Sequence, residues 1–189
     1  MKETILTLWI APDASKLSKC IYDYLKLKPD GLIYYIDSVN SFPLNELRDI
    51  TSIDDITIFD RIHIVTCLDL VELKRTIIKI IEDPKNSNCK IVIHGIDTMM
   101  NNSRIQISNQ DQIYSLLNYV LLQLRLNYRG TLIVAGPRSK KRRVERNKKT
   151  FFNSNFNNSG GRGGVSIQQN ELMGDVIEYI DKFYCDDVI

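Results

Sequence analysis

The chain has 189 residues, 43% hydrophobic and 25% charged, with a formal net charge of +2. That length suits a single domain, 1–189, with a sizeable core, and the composition is that of an ordinary globular protein, which excludes wholesale disorder. No uninterrupted apolar run reaches the roughly 18 residues of a membrane span, so no membrane association is expected.

The opening residues, MKETILTLWIAPDASK, place an acid and a proline where a signal peptide needs an apolar core. A reducing compartment, cytosol or nucleus, is the expectation. Cys20, Cys67, Cys89 and Cys185 stand singly without CxxC spacing, and so are expected to be free, mostly buried thiols rather than disulfides or metal ligands. Ile5–Ile10 predicts a buried strand. Ala14, Leu17, Ile21 and Tyr24 recur at helical spacing and predict a helix over 13–26. Pro29-Asp30-Gly31 marks a turn before a second strand, Leu32–Ile36. Pro43–Asp49 predicts a short helix, and Ile56–Phe59 with Ile62–Val65 predict two strands or one bent strand. A strong helix is expected over Leu68–Ile81, ending before Pro84, then a strand over Ile91–His94. Ser108-Asn-Gln-Asp111 has capping-box form and starts a helix running to about Leu126, apolar on nearly every side. Such a helix is either sandwiched deeply or covered by a partner protein. Thr131–Ala135 is the last clear strand. Phe151–Asn170, rich in Asn, Gly and Ser, reads as a loop, and Glu171–Tyr184 returns to amphipathic helix.

Strands interleaved with helices predict an α/β fold with a mostly parallel, doubly wound sheet flanked by helices. Nucleotide hydrolysis is the obvious activity for that architecture, and the residues argue against it. A phosphate-cradling loop needs GxxxxGK[ST] after the first strand, where this chain has Ala11-Pro12-Asp13-Ala14-Ser15. The run CKIVIHGIDTM puts His94 and Gly95 where a magnesium-holding acid belongs, and Asp97 arrives late. Gly160, Gly161, Gly163 and Gly164 around Arg162 offer an anion nest, with flexibility the stronger reading. His63 and His94 lie in strand-like runs and read as core or strand-end residues. Asp37-Ser38 sits where α/β active sites gather, yet these are ordinary turn formers, and the turn is preferred. No HExxH, no GxSxG and no activated cysteine is present, so neither an enzyme, a cofactor nor a metal site is expected.

What remains is binding. RSKKRRVERNKK, 138–149, holds eight bases and one acid, leaving 17 bases against 22 acids, or −5, over the other 177 residues. The surplus positive charge is thus gathered into one segment directly after a strand, the footprint of a polyanion-binding element. A solvated lysine-rich loop and a nuclear import signal are the competing readings. Arg138, Lys140, Lys141, Arg142, Arg143 and Arg146 are the candidate phosphate contacts, with no side chain evidently reading bases. Phe151, Phe152 and Phe156 suit either stacking on unpaired bases or packing on the core. In SVNSFPLNEL, Phe42 precedes a helix-opening proline and suits a protein–protein anchor, or equally a staple on its own helix at Leu44 or Leu47.

Three stretches together, YYIDSVNSFPLNEL, RIHIVTCLDLVELK and PRSKKRRVERN followed by the terminal DVIEYIDKFY, resemble the fungal chromosome-segregation-in-meiosis subunit of the Shu complex. The similarity runs from the first strand to Leu73, lapses through much of 82–136 and resumes at Arg138. It implies a RecA-like core without nucleotide motifs, paired with a second RecA-like subunit as a DNA-binding heterodimer. It further implies a role in homologous recombination and DNA damage repair, supporting recombinase filament assembly on damaged or replication-stalled DNA; the expected ligand is forked or single-strand-containing DNA, and the expected location the nucleus and cytoplasm. The family's DNA-contacting cluster falls on Lys140, Lys141, Arg142 and Arg143, and its contact to a recombinase-paralogue partner on Phe42. The rivals are a small α/β nucleotide-binding enzyme using Asp37, Asp97 and the glycine loop, and a nuclear assembly adaptor without DNA contact.

Overall fold

A computed structural model describes residues 5–86, 88–136 and 169–189. Among the described residues, six strands form one all-parallel sheet in the order β3-β2-β4-β5-β1-β6: β1 Leu6–Ile10, β2 Leu32–Asp37, β3 Ile62–Thr66, β4 Cys89–His94, β5 Thr131–Ala135 and β6 Asp187–Val188. Helices α1 (Ala14–Leu27), α2 (Leu44–Ile50), α3 (Leu70–Glu82), α4 (Ile96–Gln106), α5 (Gln110–Asn127) and α6 (Gln169–Phe183) flank it. The arrangement is the expected α/β architecture and is consistent with a RecA-like fold.

Alternation along the strands sorts side chains onto two faces, because successive strand residues point to opposite sides. Leu6 and Leu8 of β1, Ile36 of β2, Ile91 and Ile93 of β4 and Ile133 of β5 join the core formed with α3 to α6. Their neighbours Ile33, Tyr35, Val92, Leu132 and Val134 face the other way, onto Leu17, Ile21 and Leu25 of α1 and Leu47 of α2. Both faces are covered, as a parallel sheet requires.

Local chemistry sets the helix starts. Asp13 caps α1 by accepting from the Ser15 amide, and Asp69 caps α3 by accepting from Val71 and Glu72. The cap of α5 is Asn109, accepting from the Asp111 amide at 2.9 Å, and Ser108 lies one residue outside. The capping-box assignment was off by one: Asn is as good a cap as Ser. Three further expectations change. Residues 56–59 are not strand: Ile53–Arg61 forms a 3-10 helix, with Ile58 buried and Ile53 90% exposed. Helix α4 went unread although Ile96, Met99, Met100 and Ser103 recur at helical spacing and are buried. His63 is not a core residue. It is exposed on edge strand β3, stacked on Tyr34 at 4.9 Å.

Helix α5 is buried along one side rather than sandwiched deeply, with Ile113, Leu117, Val120, Leu121 and Leu124 buried. Tyr119, Leu122 and Leu126 remain exposed in a strip at i, i+3 and i+7, and the Lys74 ammonium lies 4.6 Å from the Tyr119 ring centroid. Among the described residues, no helix is long and apolar enough to cross a membrane. The tract 138–149 lies outside the described residues, as do Phe151, Phe152, Phe156 and the glycine-rich stretch 160–164.

Candidate functional site at the carboxyl edge of the sheet

In an all-parallel sheet every strand ends at the same edge, which is where α/β proteins place their ligands. Here that edge is formed by Ala11, Asp37-Ser38, Thr66-Cys67, His94-Gly95 and Gly136. Gly136 follows β5 directly, so the chain leaves for the basic tract from the middle of this edge; the tract itself, Arg138 to Lys149, is not placed.

The β1–α1 connection is short and closed. Ala11 adopts φ +46 and its amide donates to Ala135 O at 2.9 Å. The next turn gives the α1 amide to the Asp13 carboxylate. A phosphate-binding loop offers its helix N-terminus to an anion; this one already holds a carboxylate there, which repels phosphate.

Beside it, the β2–α2 loop is tied down side chain by side chain. Asp37, nearly fully buried, accepts from the Val39 amide at 2.9 Å and the Ser41 amide at 2.6 Å. This is the turn role preferred from the sequence. The Ser38 hydroxyl donates to Gly95 O at 2.8 Å, and the Ser38 amide to His94 O at 3.2 Å. The hydroxyls of Tyr35 and Ser41 both reach Nδ1 of His94, at 2.7 and 2.6 Å. Burial pulls His94 below the usual imidazole range, and the carboxylates of Asp37 and Asp97 offset part of that effect. The imidazole is therefore neutral near pH 7. A nucleophilic triad needs serine on one ring nitrogen and an acid on the other. In this site both hydroxyls converge on Nδ1, and Asp37 is engaged by loop amides, so the cluster is built as a clasp.

Phe42 sits on that clasp. Its ring meets Tyr35 edge-on, with centroids 4.9 Å apart and planes at 82°, and it packs half-buried against the α1–α2 core. Leu47 is fully buried and Leu44 is exposed, so the helix side of the staple is Leu47 rather than Leu44. Val39 and Leu44 flank Phe42 as exposed apolar side chains, so the loop presents an apolar knob while its root is fixed. The sequence carried no signal for the clasp, since Ser41 and His94 are 53 residues apart.

The remaining chemical groups are quiet. Cys20, Cys67, Cys89 and Cys185 are free thiols. Burial pushes Cys89 and Cys185 up to about 12, which leaves both as thiols and poor nucleophiles at neutral pH. Asp97 is buried on the first turn of α4 beside Gly136. Among the described residues, no three His, Cys, Asp or Glu side chains converge as metal ligands do.

Comparison with known proteins adds to this geometry. Residues 6–88 match a family model described as Shu complex component Csm2, DNA-binding. Over 98% of its length the chain is 28% identical to chromosome segregation in meiosis protein 2 of Candida glabrata, covering 95% of that protein. It is also 28% identical to the protein of the same name from Saccharomyces cerevisiae, over 96% of this chain and 95% of the relative. The family resemblance read from the sequence is borne out.

Proposed function

From the premise that this chain resembles the chromosome-segregation-in-meiosis subunits along nearly its whole length, we propose that it is a DNA-binding, non-catalytic component of a Shu-type complex. In this reading it pairs with a second RecA-like subunit in the nucleus. The pair supports recombinase filament assembly during homologous recombination and repair of damaged DNA. The single observation carrying the reading is the end-to-end similarity to two meiotic chromosome-segregation proteins, with a DNA-binding description on the matched family model.

Several features support the finer parts. β5 ends at the carboxyl edge with Ala135, and Arg138, Lys140, Lys141, Arg142, Arg143 and Arg146 follow it in sequence, so the sheet anchors the start of a cationic segment suited to phosphates. The strand that leads into the Phe42 loop, β2, lies two strands from β5 in the order β2-β4-β5, about 10 Å at ordinary strand spacing. Ile53, Ile56, Ile64 and Leu68 give the β3 side an exposed apolar surface of the kind a permanent subunit covers. The carboxylate cap on α1 favours the binding-module reading over the nucleotide-binding one.

The test uses the heterodimer co-purified with its companion subunit. Changing Lys140, Lys141, Arg142 and Arg143 together to Ala should weaken binding of a forked DNA at least ten-fold at moderate salt, and Phe42→Ala should leave that binding intact. Undiminished DNA binding by the quadruple variant defeats the assignment, and saturable heat on titrating ATP with magnesium would favour an enzyme instead.

A further inference from the structure

The proposed recombinase-paralogue contact at Phe42 rests on a single half-buried aromatic on a loop, and a loop residue makes a good anchor only when its conformation is prepaid. The structure gives this loop an unusual amount of support from a different part of the chain. Its first residue, Ser38, is bonded to the β4–α4 corner through both its amide and its hydroxyl. Its last polar residue before Phe42, Ser41, bonds Asp37 through its amide and lies 2.6 Å from His94 Nδ1 through its hydroxyl. The Tyr35 hydroxyl shares the same nitrogen, and the Tyr35 ring is the surface on which Phe42 rests. One imidazole thus touches both the residue that precedes Phe42 and the residue that supports it.

We propose that His94 is a positioning residue for the partner contact: by holding the Ser41 and Tyr35 hydroxyls together at Nδ1, it sets the direction in which Phe42 and its neighbours Val39 and Leu44 face a partner. This rests on the reading that Phe42 contacts a partner, and it adds to that reading a residue from the β4 corner, far away in sequence. His94 itself does not touch the partner. A half-buried ring on β4, it acts through Ser41 and Tyr35. The corner is specific for the arrangement, because Gly95 has φ +81 and any Cβ there would strike Ser38 Oγ. The loop and the corner can approach only with glycine between them.

The experiment measures binding of the purified recombinase paralogue to the heterodimer, for wild type, Ser41→Ala, Tyr35→Phe, His94→Leu, His94→Asn and Phe42→Ala. Amide hydrogen exchange over 38–47 is followed in parallel. Ser41→Ala and His94→Leu should each weaken the paralogue roughly ten-fold, the scale of one lost hydrogen-bonded anchor. The Ser41→Ala, His94→Leu double variant should be no weaker than His94→Leu alone, because that change already removes the Ser41 link. Exchange over 38–47 should accelerate in each, while DNA binding stays at the wild-type level. His94→Asn, whose side-chain amide can meet the two hydroxyls from the Nδ1 position, should restore affinity and protection to within about three-fold of wild type. If Ser41→Ala and His94→Leu bind like wild type while Phe42→Ala abolishes binding, the positioning role is overturned and the Phe42 contact stands. If His94→Asn fails alongside His94→Leu, ring packing rather than hydrogen bonding is responsible, and the proposal is likewise overturned. If Phe42→Ala itself binds normally, the contact falls and the positioning role with it.

Discussion

At the scale of single residues, two glycines with positive φ separate backbone strain from steric exclusion. Gly95 (φ +81) would place a Cβ against Ser38 Oγ and within 3.0 Å of Val39 Cγ1, whereas Gly130 (φ +75) has nothing within 4 Å. Gly130→Ala should therefore cost only the left-handed strain, about 1 kcal/mol. Gly95→Ala should cost at least about 2 kcal/mol, because the loop must also move. Chemical denaturation midpoints of the two variants distinguish the cases, and equal losses would show that the corner yields freely. Thr131 supplies a converse case. Its hydroxyl is buried with no hydrogen-bond partner among the described residues, so Thr131→Val, which keeps the shape, should leave stability unchanged or raise it by up to about 1 kcal/mol. A loss beyond that range would show that the hydroxyl has a partner after all.

Individual elements show where a local pattern misleads. Ile56–Phe59 is rich in β-formers, yet Ile53–Arg61 is a 3-10 helix. The segment is pinned to α1 by Asp55, which accepts from Tyr22 at 2.9 Å, Lys26 at 2.8 Å and Ser52 at 2.8 Å. Tertiary ties of this kind override propensity. Lys26, Ser52 and Tyr22, in that order, hold the Asp55 carboxyl down to about 2. A carboxyl whose folded value is depressed stabilises the fold above its unfolded value near 4, and that contribution disappears as pH falls toward 2. The acid limb of a stability–pH curve should thus be shallower in Asp55→Asn than in wild type; identical curves would mean the tie contributes nothing. Helix α4 was hidden for another reason: its buried positions are Ile, Asp, Met, Met and Ser, with Thr and Asn between them, so its apolar contrast is weak. Spacing alone, at 96, 99, 100 and 103, was the signal available.

At the scale of the whole molecule, on the proposed reading, two kinds of recognition start from one edge of the sheet. Because every strand runs the same way, the Phe42 loop after β2 and the exit to the basic tract after β5 emerge together, two strands apart. If the tract neutralises about four to six phosphates, DNA affinity should fall with salt at a log–log slope of roughly −3 to −5. Removing the four charges at 140–143 should flatten that slope by about 3 to 4. A slope unchanged between wild type and variant would locate the phosphate contacts elsewhere on the molecule.

Much of this was legible in the chain itself. Ile5–Ile10 and Thr131–Ala135 read as strands because buried strands are short, continuous apolar runs, and Leu68–Ile81 read as a helix because its apolar residues recur with the helical period; the folded elements are Leu6–Ile10, Thr131–Ala135 and Leu70–Glu82. Their alternation along the chain dictated a parallel α/β sheet, and charge counting alone isolated 138–149. These are local or compositional properties, carried by neighbouring residues. The strand order, the 3-10 turn over Ile53–Arg61 and the meeting of Ser41 and Tyr35 on His94 depend on contacts between residues tens of positions apart. Such contacts leave no period in the sequence, so only the folded chain decides them, by bringing the β2 loop and the β4 corner to the same edge.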